Sequence, residues 1–257
     1  MKALILRAMP AADGMVRLTG GDYRHLALAR RLAPGDFFPA RLPDGTDARA
    51  LVVSLGSGEL ACRVEPAERS EEGAAALPPV ILMQALLKGE KMDLVVRQAA
   101  ECGAAEILPF EADFSQVRLG SLSQAKPDRW RRIAREARQQ SGSRAATRVA
   151  EPVSAAGLFA RWDEIRAAQP TALGALFHCP PIPGAALHER LAENPGAVAL
   201  AIGPEGGFSP AETERFIAAG FAPFTLGDTV LRTETAALYA QAAIRMILWE
   251  RGSWKTR

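Results

Sequence analysis

Two loops in the last quarter of the chain carry residues whose types and spacing suit chemistry. The first, "AIGPEGGFSPAE" (Ala201–Glu212), sets Glu205 among three glycines and two prolines. The second, "TLGDTVLRTETAALYA" (Thr225–Ala240), sets Arg232 and Glu234 beside Gly227. A carboxylate pair such as Glu205 with Glu234 is the equipment of glycoside hydrolysis, provided the two groups stand the right distance apart, and sequence does not give that separation. Glycine-rich strand-to-helix turns suit another task, holding a ligand with converging backbone N–H groups. Both loops read as such turns. The apolar run "AVALAIG" ends at Gly203-Pro204 and predicts a buried strand. "FSPAETERFIAAG" then opens a helix, with Ser209 as N-cap, Glu212 completing a capping box, Pro210 at the first helical position and Gly220 at the end. In the second loop a short strand, "FTLG", stops at Gly227, and a helix begins with Thr233 or Thr235 as its cap. Two such loops at neighbouring strand ends would form one pocket. A tight turn closed by a capping box, with no ligand at all, accounts for the first loop equally well.

Pattern excludes several nucleotide chemistries. No GxxxxGK[ST] is present, no GxGxxG follows the first strand of the α/β region, and there is no serine-centred GxSxG. The three cysteines, Cys62, Cys102 and Cys179, are scattered without a CxxC pair, so neither a disulfide framework nor a zinc site is expected. The opening "MKALILRAMPAADG" is too short in apolar residues for a signal peptide, and no run reaches the roughly 18 residues of a membrane span. A cytoplasmic protein without metal or membrane attachment is expected. The overall charge of +2 conceals a polarity: residues 115–148 hold nine Lys/Arg against two acids, a local +7. An anionic partner is one reading of that run, and a solvated helix face is the other.

The elements that must position the loops fall into two rhythms. Residues 1–66 read as short strands, "ALILR", "GDFFPARLPDG" and "ARALVVSLGSGELACRVEP", with a short basic helix, "YRHLALARRL", between the first two. "AERSEEGAAALPP" then loses apolar periodicity, as a linker does. Two domains follow, 1–72 a small barrel and 73–257 an α/β domain. In the second, "VILMQAL", "EILPF", "TALGALFH" and "AVALAIG" are strands. The helices between them include "GEKMDLVVRQAAECGA", which puts Met92, Val95, Val96, Ala99 and Cys102 on one face. The arginine segment "PDRWRRIAREARQQSG" is a helix with Trp130, Ile133, Ala134 and Ala137 inward. The closing helix, "TAALYAQAAIRMILWERG", offers Leu238, Ala242, Ile244, Met246, Ile247, Leu248 and Trp249, more apolar surface than one sheet face requires. This alternation means a parallel-rich sheet covered by helices.

"IGPEGGFS" followed by "LGDTVLRTETA", with "KGEKMDLVVRQAAECGAAEILPF" upstream and "EARQQSG" between, closely resembles the ribosomal RNA small subunit methyltransferase E family, over nearly the whole chain. The resemblance implies a SPOUT-type C-terminal domain with a deep trefoil knot, an exception to unknotted topology, and an N-terminal PUA-like β-barrel associated with RNA binding. It also implies a homodimer. The implied reaction is methyl transfer from S-adenosylmethionine to N3 of a uridine in 16S ribosomal RNA, free or in the small ribosomal subunit. The implied cofactor walls are Leu176, Phe177 and His178 from one strand end and Ile202, Gly203, Pro204, Glu205 and Gly206 from the next. Leu226, Gly227, Val230 and Leu231, with Thr233 and Ala236, would supply the third wall. Arg232 is then the residue to stabilise charge on the uracil oxygens, and Glu234 or Glu205 a candidate base. Glu234 also suits the dipole of a first helical turn, and Arg232 paired with either glutamate is the purely structural alternative. Arg129, Arg132 and Arg135, spaced at three on the basic helix, are candidate RNA contacts, with Gln140 and Arg144 after it, and Arg24, Arg30 and Arg31 in the N-terminal domain are the next candidates. Ser143 stands where the family usually carries arginine. A non-catalytic RNA-binding protein retaining the barrel and basic helix is the competing reading, as is a small-molecule α/β enzyme.

Overall fold

The computed structural model describes residues 3–66, 77–178, 183–184 and 186–250. The expected 72/73 boundary and Cys179 lie outside them. The chain divides into two compact units, Met1–Ala74 and Ala75–Arg257.

The first unit is a five-stranded sheet in the order β1-β3-β4-β5-β2. Its strands are β1 (Leu4–Ile5), β2 (Met15–Thr19), β3 (Phe37–Arg41), β4 (Asp47–Leu55) and β5 (Glu59–Pro66). Only β1 and β3 run parallel. Leu4, Leu18, Phe38, Val52 and Leu60 send side chains from all five strands into one core, beneath which Leu26 is fully buried. The basic helix is present as α1 (Gly20–Tyr23) running into a wide π turn, Arg24–Ala29. Strand β2, "MVRLT", is absent from the expected strands: among its residues only Leu18 is fully buried, so its alternation is weak.

The second unit is a six-stranded, all-parallel sheet in the order β11-β9-β10-β6-β7-β8. Four strands are buried along their whole length: β6 (Val80–Ala85), β7 (Glu106–Phe110), β9 (Leu173–Phe177) and β10 (Val198–Ile202). Such unbroken apolar runs belong to a sheet covered on both faces. The short β8 (Arg148–Val149) and β11 (Phe221–Phe224) form the edges. One face packs α2 (Lys91–Glu101), α3 (Ala125–Ser141) and α7 (Thr233–Glu250) around Val95, Val96, Trp130 and Ile244. The other packs α4 (Ala155–Ala168) and α6 (Pro210–Ala218) around Trp162, Phe216 and Phe221. The short α5 (Leu187–Ala192) lies against α7.

Three expectations need correction. "FTLG" is not the last strand: β11 is Phe221–Phe224 and includes Pro223, which lacks a backbone N–H and is tolerated because β11 is an edge. Helix α4 was not expected at all. Its buried residues, Leu158, Trp162 and Ile165, keep helical spacing, and Ser154 caps it by accepting from the Gly157 N–H at 3.3 Å. The closing helix exposes less apolar surface than its composition suggests, since Ile244 and Leu248 are buried in its own core.

Trp162 anchors α4 by donating from Nε1 to the Ala219 carbonyl at 2.9 Å while its ring meets Phe221 at 4.7 Å between centroids. Trp162→Ala is expected to lower unfolding free energy by about 3–5 kcal/mol, mainly through the cavity left by the ring. Urea denaturation checks this, and a loss below about 1 kcal/mol would mean that α4 is not held by this residue.

Candidate active site

The parallel strands place their C-terminal ends along one edge of the sheet, where β6 and β7 fan one way and β9 and β11 the other. Ligands in open α/β sheets bind at such a switch point. A cavity of about 600 Å³ lies there. Phe177 and His178 after β9, the loop from Ile202 to Phe208 after β10, and the loop from Thr225 to Arg232 after β11 make three of its sides. Thr233, Glu234 and Ala236 at the start of α7, and Lys91 at the start of α2, complete it. The volume suits a nucleoside-sized ligand.

Local chemistry holds the walls. Pro210 at the first position of α6 and the reciprocal Ser209–Glu212 capping box fix the exit of the GPEGG loop, with the Ser209 N–H donating to Glu212 Oε2 at 2.9 Å and the Glu212 N–H to Ser209 Oγ at 3.1 Å. Thr233 does not cap α7 with its hydroxyl. It donates across to the Gly203 carbonyl at 2.6 Å and accepts from Nε2 of Gln84, at the end of β6, at 3.3 Å. His178 is held through its backbone, its N–H donating to the Phe224 carbonyl at 3.0 Å.

The charged groups sort themselves. Glu205 pairs with Lys91 at 2.8 Å, not with Arg232. Partial burial pushes the Glu205 carboxyl up, but the hydrogen bond and charge of Lys91 outweigh it and hold the group below the usual carboxylate range. The same bond raises the Lys91 ammonium above its ordinary value, against desolvation. Both partners are therefore charged at neutral pH, and Glu205 is spoken for as a counter-ion. Arg232 is exposed on the rim and forms no ion pair among the described residues. Glu234 lines the cavity with its Oε2 buried and without a hydrogen-bond partner. An acceptor withheld from both water and protein is costly unless a ligand donates to it.

Of the expected cofactor residues, the structure brings Phe177, His178, Ile202, Gly203, Pro204, Glu205, Gly206, Leu226, Gly227, Val230, Leu231, Thr233 and Ala236 to this cavity, together with Arg232 and Glu234. Leu176 is the correction. Successive strand residues face opposite ways, so Leu176 is buried in the core with Trp162 and Phe216 while Phe177 borders the cavity. Lys91 and Phe208 were missed. The "KGEKMD" turn between β6 and α2 was the available signal for Lys91. None of the expected RNA contacts lines the cavity. Arg132, Arg135 and Arg144 are exposed, whereas Arg129 donates to Asp93 at 2.8 Å and ties α3 to α2. Gln140 is exposed near the end of α3. Arg24 opens the π turn of the N-terminal helical segment, and Arg30 and Arg31 follow its end, with Arg31 in the left-handed region at φ 56°.

The family model of the RNA methyltransferase domain matches residues 75–245. A Ribosomal RNA small subunit methyltransferase E from Mycobacterium tuberculosis is 31% identical over 254 residues, covering 93% of this chain and 89% of that one. The chain belongs to the ribosomal RNA small subunit methyltransferase E family. It is an RNA methyltransferase. A Synechocystis member is 32% identical over 249 residues, 95% of this chain and 77% of its own length. A Legionella pneumophila protein solved with bound SAM shares 26% identity at a TM-score of 0.73, covering 96% of this chain and 98% of that one. The Neisseria gonorrhoeae Ribosomal RNA small subunit methyltransferase E, solved bound to S-adenosyl methionine, shares the fold at a TM-score of 0.75 and 23% identity, with 96% and 98% coverage. Among the described residues no helix is long and apolar enough to cross a membrane, and no group of three or more His, Cys, Asp or Glu is placed to hold a metal ion.

Two glycines in these walls carry distinct constraints. A Cβ on Gly203 would stand 3.2 Å from the Gly207 carbonyl carbon, so a side chain there must displace the GPEGG loop. Gly227 has φ 99°, a backbone that L side chains rarely adopt, with open space where a side chain would project. Gly203→Val and Gly227→Val are each expected to abolish S-adenosylmethionine binding by calorimetry while far-UV circular dichroism stays near that of the parent. Normal binding by either variant would place the ligand elsewhere.

Proposed function

We propose that the chain transfers a methyl group from S-adenosylmethionine to N3 of a uridine in 16S ribosomal RNA. The observation that carries this reading is that Arg232 and Glu234 both line one nucleoside-sized cavity at the ends of β9, β10 and β11. The residues fit the cofactor: backbone groups at Leu226, Gly227 and Leu231 can address the adenine edge, with Gly203 permitting close approach and Phe177 giving an apolar wall. Bound there, S-adenosylmethionine supplies an electrophilic methyl group on a sulfonium. The uracil must lose its imide proton to attack. In this reading Glu234 takes that proton, and the Arg232 guanidinium donates to a uracil oxygen as charge develops. The SAM-bound Legionella relative supports the cofactor assignment.

The remaining parts follow from the same reading. The return of α7 against β6, β10 and α2 supports a knotted SPOUT topology. The single core shared by five short strands supports a PUA-like barrel for residues 1–72. Tyr239, Met246 and Trp249 are more than half exposed on α7 and, with Thr235 and Ala242, repeat at alternating four- and three-residue steps. That stripe is the seam of a helix-mediated homodimer.

Calorimetry with S-adenosylmethionine, then mass spectrometry of 16S ribosomal RNA in small subunits taken from a deletion strain and treated with the protein, tests the reaction. No transferred methyl, or a methyl on another atom, overturns it. Arg232→Ala is expected to lower the methylation rate about 10²- to 10³-fold, the scale of losing one transition-state donor. Arg132→Gln with Arg135→Gln should leave the rate at saturating RNA intact and reduce the log–log salt slope of RNA binding by up to about 2. An unchanged slope would return those arginines to the solvated surface.

Light scattering at micromolar concentration should report a dimer, and Met246→Lys with Trp249→Lys should shift it to monomer. A parent protein that is already monomeric removes the seam.

A further inference from the structure

Phe114 sits in the loop after β7 with half its surface exposed, 51%, and has no aromatic partner among the described residues. A singly exposed apolar side chain is ordinary on a protein surface, and what sets Phe114 apart is the fixed loop that presents it. Its backbone is held from both sides. The Asp113 N–H donates to Glu212 Oε1 at 2.8 Å, Ser209 Oγ donates to Asp113 Oδ2 at 2.6 Å, and the Ala112 N–H and Ser115 Oγ meet at 3.1 Å. The side chain rests on the GPEGG loop, where a Cβ on Gly206 would lie 3.0 Å from Phe114 Cβ. Gly206 lines the cavity and Phe114 does not, so the ring stands on the outer side of the cavity wall. Two half-exposed arginines attach beside it. Arg118 Nη2 donates to the Asp113 carbonyl at 3.0 Å, and Arg215 Nη2 lies 3.7 Å from Asp113 Oδ2. The nearby acids, Glu111 and Asp113, are engaged by these same arginines.

We propose that Phe114 is the stacking platform for the RNA base that flanks the methylated nucleotide, with Arg118 and Arg215 beside the adjoining phosphates. This rests on the RNA methyltransferase reading above. A rigidly presented aromatic face between cations is the chemistry that holds an unstacked base. The base undergoing transfer must enter the cavity. A ring on the outer side of its wall takes the neighbour, whose stacking is broken when the target leaves the helix.

Methylation of small ribosomal subunits from a deletion strain is measured with Phe114→Ala, Phe114→Leu, Phe114→Tyr and Phe114→Trp. For the Ala variant the KM for the subunit should rise about 5- to 150-fold, the range for loss of one base–aromatic stack. The kcat and the calorimetric affinity for S-adenosylmethionine should stay near the parent's, which also establishes that the variant is folded. Tyr and Trp should restore KM, and Leu should not. Restoration by Leu as complete as by Trp reduces Phe114 to apolar packing and overturns the proposal, as does an unchanged KM in the Ala variant. Loss of cofactor affinity would make it a structural support of the GPEGG loop and overturn it equally. If the parent protein transfers no methyl to the subunit, the reaction itself is wrong and the stacking role falls with it. That outcome is distinct from an active parent with an indifferent Ala variant.

Discussion

The hydroxyl of Thr233 is the point on which the cavity depends. It donates to the carbonyl at the end of β10 and accepts from Gln84 at the end of β6, so one oxygen joins two strand ends to the first turn of α7. The two strand ends lie 30 and 149 residues from Thr233 along the chain, and they are already neighbours in the sheet, Ile202 pairing with Gln84. The bond to Gln84 is buried and that to Gly203 partly so, and such hydrogen bonds fix geometry more than they add stability. Arg232 and Glu234 flank Thr233 in sequence. Their placement is a by-product of where this hydroxyl is held.

Much of the site was legible because its loops are written in residues with narrow backbone options. Gly203-Pro204 marks where β10 stops and Ser209-Pro210 where α6 starts, and Gly203, Pro204 and Gly227 all line one cavity. Leu176 was not legible. Whether a residue of a fully buried strand faces ligand or core depends on which helix covers which side, and an unbroken apolar run carries no alternation to tell them apart. Helix α4 escaped for a related reason. Phe159 and several alanines surround Leu158, Trp162 and Ile165, so the inward stripe does not stand out from an apolar background. Lys91 stood in a legible turn, but its pairing with Glu205, 114 residues away, required the fold itself.

Charge was legible in amount and not in availability. The segment 115–148 carries a local +7, but acids from elsewhere claim much of it: Arg129 pairs with Asp93, Arg131 with Glu151, and Arg148 with Glu106. Glu106 is itself nearly buried between Arg148 and Arg161, and although desolvation pushes its carboxyl up, the two guanidinium hydrogen bonds prevail and hold it below the usual range. Much of the basic run is therefore fold-holding charge. What projects from α3 is a shorter set, Arg132 and Arg135 among it, and the field felt by a polyanion is correspondingly local.

Pro223 has a consequence for how copies of this protein can meet. Edge strands invite a further strand from another molecule, because their unpaired backbone groups form a ready template. Here one edge of the parallel sheet is β11, four residues long and interrupted by a residue that cannot donate, and the other is the two-residue β8. Neither offers a ladder long enough to extend. Self-association by strand addition, including the runaway kind that ends in fibrils, is disfavoured at both edges of this sheet.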